Sequence, residues 1–232
     1  METPYLYDKN TTCTLCSFQI RTKKLRSSFI RIDYSESDFY SKYKGDHCNP
    51  LLYYVTVCPN CGYSFSDEFT PRLSAPARNQ LIKYIWEKWS KKDYCQERTP
   101  EMAISAYKLA IYCAGLKSEK HSVKAGLHHR LAWMYRDAEN KEEELRFLKL
   151  ALEEYLQSYM KEDYLGSKLT EMKVLYLIGE LSRRTGKENQ AVRYFSRMIE
   201  NQSVTKEKGI IEMAKDRWQE MREERAKQKL LM

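Results

Sequence analysis

Glycine and proline are scarce, 8 and 6 of 232 residues, which excludes collagen-like and low-complexity chains and leaves few breaks in regular structure. No apolar run approaches the roughly 20 residues that a membrane-crossing helix needs. The start, Met1-Glu2-Thr3-Pro4-Tyr5-Leu6, has neither a basic nor an apolar export segment, so a cytoplasmic protein is expected, with no membrane partner. There is no phosphate-cradling glycine loop, dinucleotide fingerprint, nucleophile elbow or His-Glu-x-x-His pair, and a non-enzymatic role is expected.

What is present is charge, apolar side chains and tyrosine. Charged residues make 31% of the chain, apolar residues 42%, and tyrosines number 18, a composition that suits a soluble and largely helical protein. The net charge of +8 is dispersed, with an excess of +2 over residues 1–78, +5 over 79–131, −1 over 132–204 and +2 over 205–232. A mildly basic surface fits this better than a dedicated polyanion-binding stripe. The densest basic run is Arg21, Lys23, Lys24 and Arg26, followed by Arg31.

Two patterns divide the chain. Residues 1–73 carry short alternating or β-branched runs, at Phe29–Tyr34 and Leu51–Val57, which predict a small sheet around a polar loop over 35–49. From residue 74 to 232 apolar residues recur at helical spacing. Ser74 and Thr99 are placed to cap the first two helices, each with a proline in its first turn. Further helices are predicted over about 122–135, 141–159, 169–184 and 188–199, with a last one over 206–231 acting as a cap.

The paired helices invite a test for repeats. Ile178-Gly179 with Ala191 and Phe195, and Leu131-Ala132 with Tyr135, Leu148 and Ala151, occupy the offsets of a tetratricopeptide repeat. Ala103, Tyr107 and Ala110 supply a third second-helix match. The spacings from Ala103 to Glu144 and from Glu144 to Ala191 are 41 and 47 residues, longer than the usual repeat of about 34. The reading is therefore a mainly α protein: a tetratricopeptide-like antiparallel helical array joined to a small β module. In that register His129, Trp133 and Arg136, then Lys173, Tyr176, Glu180 and Arg183, face a concave groove suited to an acidic or aromatic-bearing peptide. His128 and His129 adjoin, which predicts one core and one surface histidine.

Seven cysteines, an odd number, argue against a disulfide framework. Cys13-Thr14-Leu15-Cys16 and Cys58-Pro59-Asn60-Cys61 are two Cys-x-x-Cys units separated by 41 residues. Each offers two thiolates, and together they provide the four soft ligands of a closed structural zinc site. Pro59 and Gly62 favour the second turn, whereas the first lacks a following glycine. His47 and Cys48 are spare candidates, and Cys95 and Cys113 are expected to be packed thiols.

The ordered set Cys13-x-x-Cys16, Arg21-Thr22-Lys23-Lys24-Leu25-Arg26-Ser27-Ser28, Asp38-Phe39, Asn49-Pro50-Leu51-Leu52-Tyr53-Tyr54-Val55 and Val57-Cys58-Pro59-Asn60-Cys61-Gly62-Tyr63-Ser64 resembles an uncharacterised bacterial family, a domain of unknown function found mainly in Gram-positive bacteria. The resemblance covers residues 1 to about 200. It implies a zinc-ribbon-like N-terminal module joined to tetratricopeptide-like helices, and no activity. Where that pattern has Gly-x-Asn-Pro, this chain has His47-Cys48-Asn49-Pro50, which sets Cys48 apart from the ligand set. The expected function is a protein- or peptide-binding adaptor. The alternative is a nucleic-acid binder using Arg21, Lys23, Lys24, Arg26 and Arg31 on phosphates with Phe29 or Tyr34 stacking on bases, and the weakest reading is a thiol enzyme.

Overall fold

The computed structural model describes residues 4–45, 48–203 and 205–230. Six short strands precede seven α-helices among the described residues. The strands are β1 (Leu6–Thr12), β2 (Gln19–Leu25), β3 (Ile32–Ser35), β4 (Ser41–Tyr43), β5 (Thr56–Val57) and β6 (Ser64–Phe65). They form three separate antiparallel pairs, β1–β2, β3–β4 and β5–β6. The helices are α1 (Ala75–Tyr84), α2 (Pro100–Lys117), α3 (His121–Asp137), α4 (Lys141–Lys161), α5 (Glu171–Arg184), α6 (Glu188–Glu200) and α7 (Lys208–Leu230). The fold is thus mainly α with a small β module, and no described helix is long and apolar enough to cross a membrane.

Local chemistry sets most helix starts. The side chains of Ser74, Thr99, Asn140 and Thr170 each accept from a backbone N–H in the first turn of α1, α2, α4 and α5. Helix α3 is different. Its flanking residue Lys120 provides no side-chain cap, and Asp163, from the turn after α4, accepts from the N–H groups of His121 at 2.5 Å and Ser122 at 3.1 Å. Ser158 donates to the same carboxylate at 2.6 Å.

Successive helices from α2 to α7 pack on one another in chain order. Close approach depends on small residues: a Cβ on Gly179 of α5 would come within 2.6 Å of the Phe195 ring in α6. The two regions read in the sequence share one core, in which Leu25, Leu51, Leu52, Val55 and Val57 pack with Ala106, Tyr107, Leu131, Leu152 and Ile178. The boundary at residue 74 is therefore one of composition rather than of packing.

Two readings of the N-terminal region are corrected. Leu51–Val57 is not one strand but a 3-10 turn, Pro50–Tyr53, followed by the short β5. Part of the reason is tertiary: the buried guanidinium of Arg98 donates to the carbonyls of Leu52 at 3.1 Å, Val55 at 2.7 Å and Tyr94 at 2.6 Å, which curls the segment around it. The polar stretch 35–49 is not simply a loop, because it supplies β4. A second tie joins the module to the helices, where the buried Lys117 ammonium of α2 donates to Thr70 and lies 2.5 Å from Glu119.

Candidate functional site

Each Cys-x-x-Cys unit is the turn of a hairpin. Thr12 pairs with Gln19 before and after the first, and Val57 with Ser64 around the second. The two turns repeat the same hydrogen bonds: Cys13 N–H donates to Phe18 O and Ser17 N–H to Cys13 O, while Cys58 N–H donates to Tyr63 O and Gly62 N–H to Cys58 O, all at 2.9 Å. Ser17 occupies the place of Gly62, and both are left-handed, at φ 60° and 74°. The first turn thus reaches the geometry of the second without a glycine, contrary to the expectation of a poorer turn. At Gly62 the absence of a side chain matters twice, since a Cβ there would also meet the Trp89 ring at 2.4 Å.

The hairpins bring Cys13, Cys16, Cys58 and Cys61 together with all four sulfurs within 4.8 Å of one another. The cross-hairpin edges Cys13–Cys61 and Cys16–Cys58 are both 3.6 Å. A tetrahedral ion with metal–sulfur bonds of about 2.3 Å requires edges of about 3.8 Å, so these four residues fit a metal ion. All are free thiols, three of them buried. Hydrogen bonds with Cys13 and Cys61 hold the Cys58 thiol below its ordinary range, and those with Cys13 and Cys58 push Cys61 up. Asn60 Nδ2 approaches Cys16 Sγ at 3.5 Å. Leu15, Ile20, Leu81 and Ile85 enclose the group.

Cys48 stands apart from this cluster at the rim of the main core, and His47 lies outside the described residues. Cys95 and Cys113 are buried; Cys113 Sγ accepts from Ser64 N–H at 3.4 Å, and burial pushes its thiol up to about 12.

The basic run is largely engaged within the chain. Arg21, Lys23 and Lys24 lie on β2, where Lys23 sits opposite Asp8 in register, and Asp8 takes both Lys23 at 2.8 Å and Arg21 at 2.6 Å. Lys24 turns inward to donate to Tyr53 O at 2.6 Å, and burial lowers its pKa to about 8. Arg26 donates to Pro4 O at 3.0 Å and lies over the Tyr7 ring. Arg31 is exposed.

The residues read as a groove do converge, but on a segment of the same chain. Between β3 and β4 the tip Glu36-Ser37-Asp38-Phe39-Tyr40 is seated against α3 and α5. Asp38 is fully buried and accepts from Arg136 Nη2 at 2.7 Å and Nη1 at 3.1 Å, and from Trp133 Nε1 at 3.1 Å; His129 Nε2 lies 3.5 Å away. Burial alone would raise the Asp38 carboxyl, yet the bonds from His129 and Arg136 outweigh it and hold the group far below the usual carboxylate range. Tyr176 OH donates to Ser37 O at 2.8 Å, Ser37 Oγ donates to Glu180 at 2.6 Å, and Arg183 pairs with Glu180 at 2.8 Å. Lys173 lies one turn before Tyr176, its N–H bonded to Thr170 Oγ1 at 3.2 Å.

The groove is therefore not open: Tyr176 and Glu180 have no exposed surface, and both His128 and His129 are buried, where one surface histidine was expected. Sequence reasoning missed Arg184, which reaches Glu36 at 2.9 Å and Glu180 at 2.7 Å, and it missed Asp38 as a buried anchor. Asp38-Phe39 was visible only as part of the family-like motif order, because periodicity carries no information on which loop a groove receives.

In comparisons with known proteins, the model of a bacterial family described as "Uncharacterized protein conserved in bacteria (DUF2225)" matches residues 6–221. No curated protein and no solved structure matches the chain.

Proposed function

The chain belongs to this uncharacterised bacterial family, and we propose from its own residues that it is a non-enzymatic adaptor built on a structural zinc ion and a tetratricopeptide-like array. Zinc suits four thiolates at tetrahedral corners, a soft-ligand geometry that iron also accepts. When bound, the ion supplies a cross-link between the two hairpins and contributes to folding. Cys13, Cys16, Cys58 and Cys61 fill all four positions, which leaves none for an activated water. The proposed location is the cytoplasm, where reducing conditions keep such thiols available.

One observation supports the adaptor reading: α3 and α5 hold the chain's own acidic, aromatic segment Glu36–Tyr40 through a two-pronged guanidinium contact, an indole N–H and a tyrosine hydroxyl. That is the chemistry of peptide recognition rather than of turnover. Metal analysis of the purified chain is expected to give one zinc per protein. A tagged full chain recovered from its native cytoplasm is expected to bring down a recurrent protein that survives nuclease and moderate salt. Nuclease-sensitive, salt-labile recovery would overturn the adaptor reading in favour of nucleic acid.

A further inference from the structure

We infer that the α3–α5 face is a binding site for an acidic–aromatic peptide of a partner, and that the chain's own Glu36–Tyr40 tip is its built-in competitor. This rests on the adaptor reading and adds the partner's chemistry and its regulation. The contacts belong to a short continuous segment. Glu36 and Asp38 meet Arg136 and Arg184, the Ser37 carbonyl meets Tyr176, Phe39 lies 5.4 Å from the Tyr176 ring and Tyr40 lies 6.4 Å from Trp133. Any chain presenting Glu-x-Asp followed by two aromatic residues offers the same groups.

The tether of the tip is slight. β3–β4 is a sheet of its own, with three paired positions and a register shift between Ile32 and Tyr34. Every residue of β3 is exposed, Ile32 at 54% and Tyr34 at 51%. Phe39 holds φ at 65°, a left-handed conformation unfavourable to a bulky side chain. Tyr40 and Lys42 add a second anchor on Asp137, at 2.5 and 2.8 Å. Beside the tip an open cleft of about 750 Å³, lined by Phe39, Arg183, Met213 and Arg217, gives an incoming chain a place to begin. Ion pairs, hydrogen bonds and the burial of Asp38 and Tyr40 hold the tip, while little sheet pairing supports it, so exchange proceeds by local opening of this segment. A tip that occupies the site most of the time reduces the apparent affinity for a partner to the intrinsic affinity multiplied by the open fraction.

The test uses the full chain and a fluorescent peptide of residues 35–41, Ser-Glu-Ser-Asp-Phe-Tyr-Ser. Folding of the variants Asp38→Asn and Glu36→Gln is first checked by circular dichroism. The peptide should bind Asp38→Asn at least tenfold more tightly than wild type, and Glu36→Gln should fall between them. The same peptide carrying Asp38→Asn should bind at least tenfold more weakly. Folded variants that bind no better than wild type would overturn the inference, as would concentration-dependent dimers of the variants that exclude peptide, because the occupant would then be a second copy. Hydrogen exchange on the wild type decides independently of any variant. The Glu36 and Phe39 amides, bonded to Tyr40 O and Glu36 O, should exchange well before those of α3 and α5; exchange only with global unfolding would refute displacement. Failure here leaves the adaptor reading to stand or fall on its own pull-down result.

Discussion

The matched positions Ser17 and Gly62 allow a controlled test of the metal module. Both sit at the same point of equivalent turns, but only Gly62 faces an indole ring. Gly62→Ala places an L side chain at φ 74°, which costs about 1–2 kcal/mol. The new Cβ would lie 2.4 Å from Trp89 Cε3 and 2.5 Å from Cδ2, whereas carbon atoms pack at about 3.5–4.0 Å. The ring must retreat by about 1 Å, stretching the bond from Trp89 Nε1 to Pro59 O, now 3.0 Å. Overpacking of this kind costs about 1–3 kcal/mol. The expected loss is about 2–5 kcal/mol, against a change near zero or a gain of up to about 1 kcal/mol for Ser17→Gly. Urea titration with excess zinc, read by tryptophan fluorescence, measures both. In a double-mutant cycle Trp89→Leu should suppress part of the Gly62→Ala loss, giving a coupling of about 1 kcal/mol or more. A Gly62→Ala loss no larger than the Ser17→Gly change, or zero coupling, would refute the argument.

Cys61→Ser should abolish stoichiometric metal and loosen the N-terminal hairpins, and full metal occupancy in that variant would remove Cys61 from the ligand set. Asp163→Ala should destabilise the protein by about 1–2 kcal/mol, the range for a lost helix cap, and amide exchange should rise first at His121 and Ser122; protection there unchanged would show that Asp163 does not cap α3. Acidification should also weaken the fold through His128, whose pKa burial lowers to about 4, while its Nδ1 has no hydrogen-bond partner among the described residues. The unfolded chain takes up this proton near pH 6.5 and the folded chain does so only near 4, so stability falls as pH drops through that window, by about 2 kcal/mol between pH 7 and 5. Glu154 opposes the shift and Lys124 adds to it. Melts of wild type and His128→Phe should converge in pH dependence only above pH 6.5, and parallel curves down to pH 5 would contradict a buried neutral His128.

The helices were legible because their signals are local. Ser74 and Thr99, each followed by a proline, place the starts of α1 and α2, and apolar spacing supplies the extents of the others to within about two residues. α3 shows the limit: its extent was readable but its cap was not, because Asp163 lies about 40 residues away in sequence. Leu51–Val57 misled because β-branched and aromatic composition favours a strand, whereas the Asn49 cap on the Leu51 N–H, Pro50 in the first position and the buried Arg98 guanidinium on the Leu52 and Val55 carbonyls favour the 3-10 turn.

The sequence alone determined which four thiols come together, since two Cys-x-x-Cys turns present them wherever their hairpins meet, and it determined which helix faces are apolar. Tertiary structure decided how the two regions combine. It merged them into one core through Leu25, Leu52 and Val57, spent the basic strand on Asp8 and on the Tyr53 carbonyl, and seated Asp38 on Arg136, Trp133 and His129. Those outcomes depend on electrostatic and packing complementarity between segments that lie from 13 to 98 residues apart, and no periodicity along the chain encodes that meeting.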